Sequence, residues 1–273
     1  MGVSSSGFRA NLPMGSTVEH SEGTKRDRRH PAWISRLRAR IRSDRGSTLV
    51  EAAVATPVFL LLVMALIEGG LYMNDNLAVA NTVRAGSRTA SAAGAADSAD
   101  LYTVLNISRE SSAINRQNIN FVVIYKATGY GAGPTDGTGP GTGCKSGIPV
   151  AGVCNVYRPI DFIRAEVQVK EEGDQRKAEK DAEDAGVPVT RVIDQNKLWF
   201  RCQTTGPHAD ASPDRFWCPT TRKDARTSIN GNGPPDYVGV YMSIEHPWIT
   251  KIFGNQKSLD DQSVIRIEPQ KLS

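Results

Sequence analysis

The longest apolar stretch of the chain runs from Leu49 to Met73, and sixteen consecutive uncharged residues separate Glu51 from Glu68 within it. As a helix its 25 residues reach about 37 Å at ~1.5 Å each, and a bilayer core needs about 20 residues. The pattern predicts one helix long enough to cross a membrane, with a glutamate near each end. Past Met73 the apolar positions become periodic. Leu77, Ala80, Val83 and Ser87 recur at helical spacing in alanine-rich, proline-free sequence. The helix is therefore expected to continue as an amphipathic stalk to about Ala93, more than 40 residues in all.

Beyond the stalk the pattern is mixed. Ile119 to Lys126, Phe162 to Lys170 and Tyr237 to Glu245 are enriched in β-branched residues with partial alternation and predict strands. Leu198 to Cys202 and Val264 to Ile267 are shorter strand candidates. Leu101 to Ser112 predicts a helix, and Gly173 to Ala185 is charged and helix-prone but polar all round. Gly129 to Gly147, rich in glycine with two prolines, reads as a flexible loop. At the other end, residues 1 to about 33 are rich in Ser, Gly, Arg and Thr without apolar periodicity and read as disordered. Trp33 to Ile41 could form a short basic amphipathic helix on an anionic membrane surface. The expected fold class is α+β: a long N-terminal transmembrane and stalk helix, then a small mixed ectodomain with antiparallel strands. The expected divisions are 1–46 leader, 47–73 transmembrane helix, 74–95 helical stalk and 96–273 extracytoplasmic domain.

Composition narrows this picture. Hydrophobic residues make up 39% of the 273 and mean hydropathy is -0.35, so a single membrane segment is all that is expected. The net charge of +4 is uneven: Lys25 to Arg45 holds nine Lys/Arg against Asp27 and Asp44, a local +7 that leaves -3 for the rest. Placed directly before an apolar run, this cluster reads as the positive flank that stays in the cytoplasm. Nucleic-acid binding would rest on the cluster alone, without aromatic interleaving, and is not expected. All four cysteines, Cys144, Cys154, Cys202 and Cys218, follow the apolar run. An even number on the exported side suggests two disulfides. Three connectivities exist; sequential pairing, Cys144 with Cys154 and Cys202 with Cys218, closes short loops and is preferred. A zinc site is the weaker alternative, since no pair has C-x-x-C spacing and His208 stands alone nearby.

A secretory signal peptide would place its small-residue cleavage site after a short apolar core. Here the Ala53 to Ala55 site opens the apolar run instead. Arg45-Gly46-Ser47-Thr48-Leu49-Val50-Glu51-Ala52, a basic leader before it and an alanine-rich helix with Pro57 after it, resemble the prepilin signature of the type IV pilin superfamily. The segment is similar in particular to the TadE and TadF group, minor pseudopilins of the tight-adherence (Flp) pilus. Glu268-Pro269 after a strand-like segment fits the same group weakly. The resemblance implies cleavage between Gly46 and Ser47 by a prepilin peptidase, which would leave 227 residues. It also implies that Glu51, at the fifth mature position, meets the new Ser47 amine of a neighbouring subunit and sets the stagger between helices. Small residues Ala52, Ala53 and Ala55 would then let those helices approach. Implied partners are the peptidase, other pilin or pseudopilin subunits, the inner-membrane assembly platform and membrane lipid. The implied location is the cytoplasmic membrane, single-pass, N-terminus inside and C-terminal domain outside. Filament incorporation, and Met1 or Met14 as the start, stay open.

Each element has a plainer reading. Gly46 alone could be a helix C-cap, Glu51 a snorkelling interfacial residue, and Pro57 an ordinary residue of the helix. Glu68 beside Gly69-Gly70 is expected at the outer interface. His246-Pro247-Trp248 reads as a turn after a strand, and Asp210-Ala-Ser-Pro-Asp214 as a solvated loop. Trp199 and Trp217 are expected to pack around the second cysteine pair. No GxSxG, HExxH, phosphate-loop or dinucleotide motif occurs. No catalytic residue, cofactor or metal is expected, and the chain reads as a non-enzyme. The rival from another class is a signal-anchored binding or adhesion module unrelated to pili, which would keep its basic leader.

Overall fold

The computed structural model describes residues 32–134, 143–188, 194–202, 206–224 and 234–268, with side chains from residue 46 onward. The leader reading of residues 1–31, Pro269 and much of the glycine-rich loop lie outside the described residues. Packing divides the chain after Phe59 into a first unit, Met1–Phe59, and a second, Leu60–Ser273.

Helix α1 (Ala32–Ala93) is continuous over 62 residues and holds Pro57. It incorporates the Trp33 to Ile41 segment and passes through Gly46, so Gly46 is not a C-cap. The stop is Gly94, at φ +54, whose N–H bonds back to the Ala90 carbonyl at 3.0 Å. Glycine reaches this left-handed geometry without a Cβ penalty, the usual helix terminator. Helix α2 (Ala99–Glu110) follows and buries Leu101, Val104, Leu105 and Ile107 at helical spacing. It lies so close to α1 that a Cβ on Gly86 would sit 2.7 Å from Ile107 Cγ1.

Strands β1 (Ile119–Ala127), β2 (Cys154–Tyr157), β3 (Tyr237–Pro247) and β4 (Gln256–Arg266) form one sheet in the order β2-β1-β3-β4. Every neighbouring pair is antiparallel. Alternation sorts the two faces. Val122 and Ile124 of β1 join Val238, Val240, Met242 and Ile244 of β3 in a core with Val79, Val83 and Ala90 of α1. Val123, Tyr125 and Tyr241 face the other way, into a smaller cluster with Cys144 and Cys154. Tyr125 pairs with Gly239 across the strands, where a Cβ would lie 2.2 Å from the phenol ring. Glycine opens the space that the buried ring fills. Edge strand β4 begins with polar residues, and its Lys257, Asp260 and Asp261 discourage further strand addition.

Two strand expectations are overturned. Phe162 to Lys170 belongs to helix α3 (Pro159–Asp184). Its buried positions are Asp161, Phe162, Ala165, Gln168 and Glu172, which is helical spacing, while Ile163 and Val167 point outward. Pro159 opens this helix, and Asp161 accepts the Arg158 N–H at 2.8 Å. That start signal outweighs the β-branched composition. Leu198 to Cys202 is not a strand either. The N–H groups of Trp199 and Phe200 donate to Gln168 Oε1 at 2.8 and 2.9 Å. Those of Arg201 and Cys202 donate to Asp214 at 2.7 and 3.0 Å. Side chains take the donors that a ladder would use, and Arg201 and Cys202 adopt positive φ, 90 and 46. The disulfides are Cys144–Cys154 and Cys202–Cys218.

Candidate functional site

The N-terminal part of α1 holds the residues singled out for processing and assembly. Every side chain from Gly46 to Leu62 is exposed. Apolar side chains stand out in all directions, among them Val50, Val54, Val58, Phe59, Leu60 and Leu61. Gly46 has open space around its Cα, Ser47 continues the same helix, and Glu51 lies one turn further on, exposed, beside Ala52, Ala53 and Ala55. Pro57 lacks the N–H that would bond to the Ala53 carbonyl, yet the helix runs on through it. Among the described residues, Gly46–Ala93 is the one helix segment long and apolar enough to cross a membrane.

From Glu68 the helix changes character. Residues 68, 79, 82, 83, 86, 87, 90 and 91 are buried, a stripe covered by the rest of the second unit. Glu68 is 1% exposed, and its Oε1 accepts the Thr250 N–H at 2.5 Å. One turn on, Tyr72 stacks with Trp248, ring centroids 5.6 Å apart. A further turn on, Asp75 Oδ2 accepts from His246 Nδ1 at 2.7 Å. His246 lies inside β3 and is 4% exposed, which corrects its reading as part of a turn beyond the strand. Residues 246, 248 and 250 thus step down α1 past 75, 72 and 68. This clasp was not foreseen; the spacing of Glu68, Tyr72, Asp75 and Val79 was the signal for it.

Inside the domain a second polar cluster sits at α2. Arg222 Nη2 approaches the Asp100 carboxylate at 2.6 Å, and both side chains are fully buried. Tyr157 donates its hydroxyl to Asp100 Oδ2 at 2.5 Å, and Asn155 Nδ2 donates to the same oxygen at 2.8 Å. Asn155 also clamps the backbone of Trp217, donating to its carbonyl and accepting its N–H, each at 2.8 Å. Burial first, and then the Asp100 carboxylate, hold the Tyr157 hydroxyl well above the usual tyrosine range. This cluster is sealed from solvent and braces the fold.

Asp214 is buried too, so of the expected solvated loop Asp210–Asp214 only Asp210 and Ala211 are exposed. The Asp214 carboxylate accepts from Ser212 Oγ as well as from Arg201 and Cys202 N–H, and so organises the backbone beside the second disulfide. Burial raises its pKa, the Ser212 bond opposes this, and Asp100 adds to the rise. Trp217 is 3% exposed in the core. Trp199 stacks on His208 at 3.4 Å and lies under the Arg164 guanidinium at 4.1 Å, so both tryptophans are packed within the domain.

A shallow pocket of about 240 Å³ is lined by Arg158, Asp161, Arg164, Arg215 and Phe216 among others. Its guanidinium groups are already engaged. Arg164 holds Asp161 at 2.7 Å, and Arg215 donates to the Ser212 carbonyl at 2.8 Å. Neither this pocket nor the buried clusters pair a nucleophile with an open approach. No group of three or more His, Cys, Asp or Glu that could hold a metal occurs among the described residues.

Compared with known proteins, residues 46–88 match the family model described as TadE-like protein. The match starts at Gly46, crosses the exposed apolar part of α1 and ends within the buried stripe. No curated protein and no solved structure matches the chain.

Proposed function

We propose that the chain is a minor-pilin-like subunit of the TadE kind, anchored in the cytoplasmic membrane by the N-terminal part of α1. It takes part in assembling a tight-adherence pilus or its secretion apparatus, and performs no chemistry itself. One observation carries this reading: the TadE-like match begins at Gly46 and takes in the stretch of α1 from Leu49 to Leu62 whose large apolar side chains are all exposed. Such a surface needs lipid or other apolar helices around it.

In this reading a prepilin peptidase cuts between Gly46 and Ser47 on the cytoplasmic side. Gly46 lies in a helix, so the scissile bond must first unwind. Glycine lowers that cost by about 1 kcal/mol relative to alanine. The freed Ser47 amine then pairs with Glu51 of an adjacent subunit, since a carboxylate entering the bilayer needs a partner. Ala52, Ala53 and Ala55 permit close helix contact. The α+β domain, outside the membrane, presents a disulfide-braced surface to the pilus machinery.

The test is the intact mass and N-terminal sequence of the chain isolated from membranes of cells with and without the peptidase. Processing at Ser47 only when the peptidase is present supports the proposal. A retained leader in both, or a cut beyond the apolar run, favours a signal-anchored binding module instead.

A further inference from the structure

The turn joining β3 to β4 exposes apolar side chains that its own fold leaves uncovered. In the segment Trp248 to Asn255, Ile249 is 61% exposed and Ile252 and Phe253 are each 59% exposed. The turn itself is well defined. Trp248 N–H donates to the Asn255 carbonyl at 3.1 Å, Lys251 and Gly254 take positive φ of 59 and 106, and Trp248 packs against Phe253 with ring centroids 5.3 Å apart. Three large apolar side chains on a fixed tip are not an ordinary scatter of surface hydrophobes.

The position of the tip along α1 indicates what covers it. Thr250 is bonded to Glu68 and Trp248 is stacked on Tyr72, so the tip is held at that level of the helix. Counted from Leu49, the about 20 residues that span a hydrocarbon core end at Glu68. Leu66, Ile67 and Leu71, at the same level of α1, are exposed as well. We infer that the β3–β4 turn dips into the outer headgroup–acyl boundary of the bilayer that α1 crosses, with Ile249, Ile252 and Phe253 as its buried anchors. This rests on the membrane reading of α1 given above.

The chemistry of the turn suits that depth. Trp248 is an aromatic residue of the kind favoured at the boundary. Lys251 within the tip and Lys257 just past it in β4 are both exposed and can reach anionic headgroups. Glu68, which would be costly there if bare, is buried, and one of its two carboxylate oxygens accepts the Thr250 N–H. The turn thus acts as a second contact with the membrane and restrains tilting of the ectodomain against the bilayer.

The experiment uses the full chain in vesicles of phosphatidylethanolamine and phosphatidylglycerol. An environment-sensitive fluorophore is attached to single cysteines, F253C at the tip, L60C within the apolar run and K177C on the exposed side of α3. The native cysteines are tied up in disulfides, and I252C repeats the measurement at a second tip site. The expected result is that the probe at 253 emits to the blue of the probe at 177. Lipids brominated near the carbonyl end should quench it more than lipids brominated at the chain terminus, with the reverse order at 60. A water-like, unquenched probe at 253 and 252 beside a quenched probe at 60 overturns the inference and leaves the anchor standing; a protein partner is then the better occupant. An unquenched probe at 60 overturns the membrane reading, and the inference with it.

Discussion

Gly46 to Leu62 and Glu68 to Ala93 belong to one continuous helix, yet they meet their surroundings in opposite ways. The first part exposes eight large apolar side chains, Leu49, Val50, Val54, Val58, Phe59, Leu60, Leu61 and Leu62. At ~1.5–3 kcal/mol each, covering them is worth about 12–24 kcal/mol, as large as or larger than the ~5–15 kcal/mol net stability of a typical domain. The second part shows one buried stripe, with Val79, Val83 and Ala90 in the domain core and Glu68 and Asp75 bonded across to the β3 end of the sheet. Helix formation is common to both. What differs is where the burial comes from: the chain's own sheet covers the second part, and in the proposed function a bilayer with neighbouring helices covers the first.

That division can be broken from either side. The largest effect is expected for Val83→Asp, which puts a carboxylate into the core and should cost about 4–5 kcal/mol or more. A thermal melt of the ectodomain should collapse while carbonate-resistant membrane retention persists. Leu61→Arg should do the opposite, raising the cost of insertion by about 3 kcal/mol and releasing chain from membranes with an unchanged melt. Replacing Cys202 and Cys218 together by alanine opens a 16-residue separation and should lower ectodomain stability by about 2–4 kcal/mol, again without touching retention. A pH titration sharpens the picture within the domain. Tyr157 keeps its proton in the folded state to a higher pH than in the unfolded chain. Its contribution is complete below pH ~10 and falls by about 1.4 kcal/mol per pH unit above that; Tyr157→Phe should remove that increment from urea melts at alkaline pH. Smallest for stability is Glu51→Gln, within about 0.5 kcal/mol at an exposed position, although recovery of assembled pilus should drop sharply.

How much of this was legible in the sequence follows from the distance over which each element is determined. The apolar run, the stalk ending at Ala93, α2, β1 and β3 all announce themselves through periodicity within about ten residues. The family match covers the first of these, the apolar run and most of the stalk. Helix α3 was misread because Val167 and Val169 alternate with polar residues as in a strand. The Pro159 and Asp161 start signal stood just upstream and was the better guide. Strand β2, four residues long, is too short to show a period, and the polar first half of β4 carries no alternating apolar face. The bonded clusters were invisible for another reason. Asp100 meets Arg222 from 122 positions away and Glu68 meets Thr250 from 182, and a charge reads as solvated until the fold supplies its partner. Asp214 shows the same thing at short range, since its role depends on Arg201 and Cys202 leaving strand geometry.

The most direct measurement is hydrogen exchange along α1 in nanodiscs holding the full chain, with and without enough urea to unfold the ectodomain. Backbone bonds in lipid lack competing water, so residues 49–67 should stay protected in urea. Residues 75–93 should lose protection together with β1 and β3. If both parts lose protection together, or 49–67 exchange freely before urea is added, the two parts of α1 do not have separate sources of burial and the anchored-subunit reading is contradicted.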